Sequence, residues 1–109
     1  MKSSQLMEFF LGNLEPNDFQ KLIETEVKNF KELLKKRGSS IPIYLDHDII
    51  QKIFVDKNSL DLLLKCVRED ILDKYYLSYI ADLLLLSENV LFSNDKIKDE
   101  LSLLTDFNL

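Results

Sequence analysis

His47 is the only histidine in the sequence, and with its neighbours it forms an Asp46-His47-Asp48 run that could be drawn as a metal site. A zinc ion in a protein needs three or four ligands that converge on one point. Adjacent residues at the start of a helix point in different directions, and no second histidine or cysteine group completes the shell. We therefore interpret Asp46 as the N-cap of a helix and predict no metal.

Cys66 is the only cysteine, and it lies in the apolar run Leu62-Leu63-Leu64-Lys65-Cys66-Val67. A buried cysteine usually acts as a small, inert hydrophobic side chain. A nucleophile–base pair of Cys66 with His47 would also need an Asn or Asp to orient the base, and none is marked out. A single cysteine excludes an internal disulfide and fits a reducing compartment.

Two further patterns resemble cofactor-binding loops without meeting their requirements. The segment from Asp56 to Asp61 begins like an EF-hand calcium loop, but Asp61 and Val67 stand where that loop requires glycine and glutamate. Two glycines cannot build a glycine-rich phosphate-binding loop. The acids Asp73 and Asp82 are interpreted as solvent-facing helix charges. We therefore predict that the chain is not an enzyme and has no catalytic residues and no cofactor.

The elements that carry these residues follow from an apolar pattern with helical spacing. The length of 109 residues fits a single domain, residues 1–109, and two glycines and two prolines leave few turn signals for a β-sandwich or barrel. The clearest helix begins near Pro16 and ends before Gly38, with apolar residues mostly at steps of three and four. These residues are Phe19, Leu22, Ile23, Val27, Phe30, Leu33 and Leu34.

The other segments set the number of helices. A loop covers residues 38–45, a third helix carries apolar residues at positions 49, 50, 53 and 54, and residues 89–92 form a link. The helix over residues 71–87 is apolar nearly all round, so it should lie in the middle of the fold. The sequence predicts an all-α fold, a single compact bundle of about five to six helices. The predicted N-caps of the other helices are Ser3 or Ser4, Asp46, Asn58 or Ser59, and Ser93 or Asn94.

The net charge of −5 is unevenly distributed along the chain. The first 38 residues contain six acidic and seven basic side chains, whereas the remainder contains 13 acidic and seven basic ones. This distribution disfavours direct binding of nucleic acid and is compatible with a basic partner. The longest apolar region, residues 75–86, is too short to span a bilayer, and no secretory signal is visible. We expect a soluble, cytoplasmic protein without a membrane role.

Two groups of residues could form a binding surface. At 100° per residue, Ser78 and Asp82 share a polar strip of the fifth predicted helix, with tyrosines beside them. Tyrosine supplies contact area and charge supplies specificity, but a core position with the hydroxyl reaching water is the role that the sequence favours for each tyrosine. The first group comprises Asp70, Asp73, Tyr75, Ser78, Tyr79, Asp82 and Glu88, and the second, around the loop, comprises Tyr44, Asp46 and Asp48.

The last third of the chain resembles a known family of bacterial proteins. The relevant residues are Leu77-Ser78-Tyr79-Ile80-Ala81-Asp82-Leu83-Leu84-Leu85-Leu86-Ser87-Glu88-Asn89-Val90, then Phe92 and a final acidic helix ending in Leu104-Thr105-Asp106. This stretch resembles the MafI-type immunity proteins, which are similar in setting to the immunity proteins of contact-dependent growth inhibition systems. The N-terminal helices resemble the family only in length and helical character.

The resemblance implies a function and a partner. It implies a cytoplasmic bacterial immunity protein that binds the C-terminal domain of one cognate toxin, one to one, and blocks its active site or substrate groove. Such toxin domains are commonly nucleases with basic surfaces, and we expect a ribonuclease, which the acidic part of this chain would complement. One alternative is a helical adaptor or regulatory protein, for which the apolar stripe of the second helix could form a homodimer. Another is an enzyme or metal protein that uses Cys66 or His47.

Overall fold

Five helices and two short strands lie within residues 1–37 and 45–104, the parts of the chain that the computed structural model describes. In chain order they are α1 (Ser3–Phe10), α2 (Pro16–Arg37), β1 (Ile53–Val55), α3 (Lys57–Arg68), α4 (Lys74–Leu86), β2 (Val90–Phe92) and α5 (Asp95–Leu103). The radius of gyration is 13.0 Å, the value expected of one compact domain of about 100 residues. The predicted, mostly helical character is confirmed, and the small sheet was not predicted.

Helix α4 lies in the middle of the fold, as its apolar sequence predicts. Residues on all its sides are buried, including Tyr76, Ile80 and Leu83, and helices α2, α3 and α5 all pack against it. A helix that is apolar nearly all round can hide its surface only when other elements surround it. Its N-cap is Asp73, so the helix begins after residue 71, where the sequence analysis placed its start.

One face of α2 packs against the core, and this buried face contains fewer residues than the apolar stripe predicted from sequence. Phe19, Ile23, Val27 and Phe30 are buried, which confirms the spacing of three and four. Leu22, which was predicted to lie in the same stripe, is exposed instead. The Phe19 ring stacks on Phe9 of α1 with ring centroids 4.0 Å apart, and this stack joins the first two helices.

The predicted third helix is wrong. Asp46 does not cap a helix; it forms a parallel bridge with Lys2, in which its amide donates to the carbonyl of Met1 and its carbonyl accepts from the amide of Ser3. Strand β1 follows and pairs in parallel with β2, with Ile53 opposite Val90. Buried Ile53 and Val55 flank exposed Phe54, which is the period of two expected of a strand. From sequence alone, apolar residues at positions 53 and 54 fit a strand period or a helix period.

Two further helix starts differ from the prediction, and a third agrees with it. Lys2, and not Ser3 or Ser4, occupies the N-cap position of α1. Asp56 caps α3, and Ser59, which was a predicted cap, donates to the Asp56 carboxylate from its amide at 3.0 Å. Asn94 caps α5 by accepting from the amide of Ile97, which confirms one of the two residues predicted there. The predicted loop over residues 38–45 lies outside the described residues except for Leu45.

Candidate functional site

The predicted binding residues do not form one surface, because the structure places most of them at opposite ends of α4. Asp70, Asp73 and Tyr75 lie at its N-terminal end, which we call the tyrosine end. Asp46, Asp48 and Glu88 lie at its C-terminal end, which, together with exposed Leu86, we call the acidic end. Thirteen helical residues separate the two by about 20 Å. Tyr44 lies outside the described residues.

His47 assembles the acidic end. One ring nitrogen, Nδ1, lies 2.8 Å from the hydroxyl of Ser3 in α1, and Nε2 lies 2.9 Å from the hydroxyl of Ser87, the C-cap of α4. One imidazole therefore ties the loop after residue 45 to both helices. Its neighbours Asp46 and Asp48 are thereby brought towards Glu88, which follows Ser87, although about 40 residues separate the two segments.

Asp48 is fixed by α1 as well. Its carboxylate accepts from the backbone amide of Ser4 at 2.9 Å and from the hydroxyl of the same residue. These two hydrogen bonds favour the charged form and lower the pKa of Asp48 below its usual value. Nearby Lys2 acts in the same direction. The carboxylate is therefore ionised, oriented and exposed at neutral pH.

An exposed apolar side chain lies beside His47 and Glu88. Leu86 is 65% exposed at the last turn of α4. It borders a cleft of about 220 Å³ whose other lining residues are Leu45, His47, Ser87, Glu88 and Asn89. Ile50, in the same loop as His47, is fully exposed. Exposed apolar side chains ringed by charge are typical of protein-binding surfaces. Leu86 could not be recognised from sequence as a surface residue, because its apolar type predicts a place in the core.

The acids of the tyrosine end have local structural roles. Asp73 is the N-cap of α4, and its carboxylate accepts from the amides of Tyr75 and Tyr76 at 2.9 and 3.1 Å. Asp70 adopts a left-handed backbone with φ of 59° in the turn after α3. There the amide of Ile71 donates to the carbonyl of Cys66, as in a Schellman C-cap. These structural roles explain both residues, so no binding partner is needed to account for them.

Tyr75 already has cationic neighbours. The Nζ atoms of Lys31 and Lys74 lie 4.7 and 5.5 Å from its ring centroid, which is cation–π distance. The adjacent cleft, about 400 Å³, lies between α2 and α4 and carries Glu24 and Asp73 but also Lys28 and Lys31. The tyrosine end therefore presents mixed charge, which suits a basic partner less well than the acidic end does.

Ser78 and Tyr79 belong to the core, so their side chains do not contribute to a surface. The Tyr79 hydroxyl donates to Glu26 Oε2 at 2.8 Å, and the same oxygen lies 2.6 Å from the α-amino group of Met1. Burial, followed by the interaction with Glu26, raises the pKa of Tyr79, so the phenol is protonated at neutral pH. Glu26 could not be singled out from sequence, because nothing about a glutamate in α2 predicts a partner 53 residues away.

Asp82 lies between the two ends of α4 and is only partly exposed. Burial raises its pKa above the usual value, because desolvation penalises the carboxylate. With a folded-state pKa above that of the unfolded chain, the folded state binds the proton more tightly. The carboxyl therefore favours folding below its unfolded pKa, and this contribution is lost as pH rises through the folded value.

The variant Asp82→Asn tests the free-energy cost of partly burying the Asp82 carboxylate at neutral pH. We expect it to raise the free energy of unfolding at pH 7 by less than about 1 kcal/mol, since solvent still screens much of the group. At pH values below the usual Asp pKa, near 3, wild type and variant should differ little. Urea unfolding across this pH range measures the effect, with Asp61→Asn on exposed α3 surface as the matched control. A loss of stability in Asp82→Asn at pH 7 would contradict the assignment.

Groups that could bind a metal or act as nucleophiles are sparse in the described ranges. Residues 1–37 and 45–104 contain no group of three or more His, Cys, Asp and Glu side chains placed to hold a metal ion. Cys66 is buried, and burial raises the pKa of its thiol, which disfavours the reactive thiolate. No helix in these ranges is both long and apolar enough to cross a bilayer.

The sequence pattern that suggested a family resemblance lies in the last third of the chain. In the structure that stretch forms most of α4 and then β2, and its apolar residues are largely core. The pattern therefore describes a scaffold, and the acidic end lies where the scaffold meets the loop around His47. Comparisons with protein-family models, with curated proteins and with solved structures find no match for this chain.

Proposed function

We propose that this chain is a bacterial immunity protein of the MafI type, related in setting to contact-dependent growth inhibition. It acts in the cytoplasm, where it binds the C-terminal domain of one cognate toxin, one to one. The toxin domain is a basic nuclease, for which we expect ribonuclease activity, and the complex blocks its active site or substrate groove. The chain itself performs no catalysis and has no direct contact with nucleic acid or membrane.

The observation that carries this proposal is the construction of the acidic end. Three exposed acidic residues, Asp46, Asp48 and Glu88, belong to two distant segments that the hydrogen bond between His47 and Ser87 joins. His47 and Ser4 hold the loop in place, so little conformational entropy is lost on binding. Exposed Leu86 supplies an apolar contact at the same end. A nuclease domain presents cationic side chains where it binds phosphate, and these carboxylates would occupy that position.

Long-range charge should speed the encounter. The chain carries a net charge of −5, and opposite charges on two proteins raise the association rate more than they raise the final affinity. Added salt should therefore slow association, while dissociation should change less. A rate that does not respond to salt would contradict the electrostatic argument.

The double variant Asp46→Lys/Glu88→Lys tests the acidic end. Both side chains are exposed, so the fold should persist. We expect an increase of about tenfold or more in the dissociation constant for the toxin domain encoded beside this chain, mostly through slower association. Surface plasmon resonance measures both rates. Asp70 and Asp73 are poorer probes, because their replacement would also alter the backbone turn and the cap of α4.

The matched control is Glu8→Lys/Glu32→Lys, which makes the same charge change at exposed positions of α1 and α2. Equal weakening by both double variants would show that net charge alone matters and would refute the acidic end as the contact surface. Co-expression tests the function itself. If wild-type chain fails to rescue cells from the adjacent toxin and fails to bind its C-terminal domain, the immunity proposal is wrong.

A further inference from the structure

Strand β1 has one edge that the sheet does not use. Ile53 donates its amide to the carbonyl of Asn89, and Val55 accepts from the amide of Ser93, so these two residues bond towards β2. Hydrogen-bonding residues alternate along a parallel strand, and the amide and carbonyl of Phe54 therefore point away from β2. The sheet has two strands in the part of the chain that the structure describes, so nothing there pairs with that edge.

Exposed apolar side chains lie on the face of the sheet beside this edge. Phe54 is 54% exposed, and Leu91, directly opposite it on β2, is 48% exposed. Beside β1 lies a cleft of about 300 Å³, and Met7, Phe10 and Leu11 of α1 contribute to its lining. An unpaired strand edge with apolar residues favours pairing with another strand.

The charges beside Phe54 identify the partner strand. Lys52 precedes Phe54 by two residues and Asp56 follows it by two, so all three side chains lie on one face of the extended segment. In an antiparallel pair with a two-fold axis at Phe54, residue 52 of each strand lies opposite residue 56 of the other. Side chains directly opposite one another have Cβ atoms about 5 Å apart, which is ion-pair range. The edge is thus complementary to itself.

We propose that two copies of this chain associate through β1, antiparallel and with a two-fold axis at Phe54. The two Phe54 residues exchange two backbone hydrogen bonds. Each phenyl ring gains apolar contact from the other copy, including the cleft beside α1. Lys52 of each copy pairs with Asp56 of the other, twice by symmetry. The result is one four-stranded sheet across the dimer, and this inference does not depend on the proposed toxin partner.

Sedimentation of the full chain without any partner tests the dimer. We expect a reversible monomer–dimer equilibrium between about 5 and 500 µM protein, because the interface is at the small end of specific interfaces. Phe54→Asp should raise the dimer dissociation constant at least about tenfold, since the change occurs twice in a symmetric interface. Leu22→Asp, at an exposed position of α2, should leave the equilibrium unchanged.

Charge and covalent trapping give independent readouts. Lys52→Glu places like charges opposite one another and should weaken the dimer. Much of this loss should be recovered in about 0.5 M salt, whereas Lys21→Glu on α2 should not weaken the dimer.

Phe54→Cys should form an intermolecular disulfide under mild oxidation, because its two Cα atoms would lie about 5.5 Å apart. Leu91→Cys should not form one, because three strand spacings, about 14 Å, would separate its copies.

Three results would overturn the proposal. One is a wild-type chain that stays monomeric at the highest concentration, which would leave the edge for a strand of a different protein. Another is a dimer that survives Phe54→Asp but is lost in Leu22→Asp, because that would place the interface on α2. The third is equal disulfide formation in Phe54→Cys and Leu91→Cys. Circular dichroism of each variant shows whether a lost dimer reflects a lost fold.

Discussion

Glu26→Ala is expected to lower the free energy of unfolding by about 3 kcal/mol. The Glu26 carboxylate accepts from the buried Tyr79 hydroxyl and pairs with the α-amino group of Met1, whose residue is itself buried. Alanine would leave an ammonium group and a phenol hydroxyl without their acceptor. Water can reach the emptied position in part, because Glu26 is only partly buried, and this keeps the expected loss below that of a fully enclosed ion pair.

Two variants separate charge from hydrogen bonding in this pair. Glu26→Gln keeps an oxygen that accepts from Tyr79 but removes the negative charge, so its loss should be smaller, about 1 to 2 kcal/mol. Glu24→Ala, at an exposed position of the same helix, should change the stability by no more than about 0.5 kcal/mol. Urea unfolding monitored by circular dichroism measures all three. If Glu26→Ala and Glu24→Ala unfold at the same midpoint, the pair contributes nothing to stability.

Helix α2 and helix α4 could be predicted from sequence because their signal is local. The apolar positions of α2 recur at three and four residues, and the four residues that are buried among its described side chains follow that rule. The same spacing includes exposed Leu22, since the width of the buried face depends on what packs against it. Helix periodicity thus predicts which way the buried face of a helix points, but it does not predict how many residues at the margins of that face are covered.

The small sheet was not predictable in the same way. A strand of three residues, Ile53–Val55, is too short for its period of two to stand out from a helical pattern. Its pairing with β2 depends on a contact across 37 positions of the chain, which no local pattern encodes. Asp46 was interpreted as a helix cap for a similar reason. An aspartate before apolar residues is typical of an N-cap, whereas its bridge with Lys2 is a tertiary feature.

The candidate site could also be predicted only in part, because the contacts that assemble it are non-local. The sequence points to Asp46, Asp48 and Glu88 but places them in two separate groups, because the hydrogen bond between His47 and Ser87 that joins these groups is non-local. Ser78 and Tyr79 fall with the surface acids in the sequence because helical angles predict which residues share a face but not which neighbours cover it. In this chain α2 covers that face, through Phe30 against Tyr79 with ring centroids 5.3 Å apart.

Phe19→Ala should have the larger effect on stability, a loss of about 4 kcal/mol. Phe19 is fully buried and its ring lies nearly parallel to Phe9, at 9° between planes, so alanine removes a stacked aromatic pair and leaves a cavity. Phe19→Leu keeps much of the volume and should cost about 1.5 kcal/mol. Leu22→Ala, one turn along α2 but exposed, should stay within about 0.5 kcal/mol of wild type.

The Phe9–Phe19 stack also predicts where the loss should first be seen. Because this stack joins α1 to α2, Phe19→Ala should expose the amides of Ser3–Phe10 to hydrogen exchange sooner than those of α4, which keeps its surroundings. Loosened α1 would release Ser3 and Ser4, which hold His47 and Asp48, so the acidic end should lose order with it. Uniform protection loss across all five helices would instead mean that α1 and the core unfold as one unit.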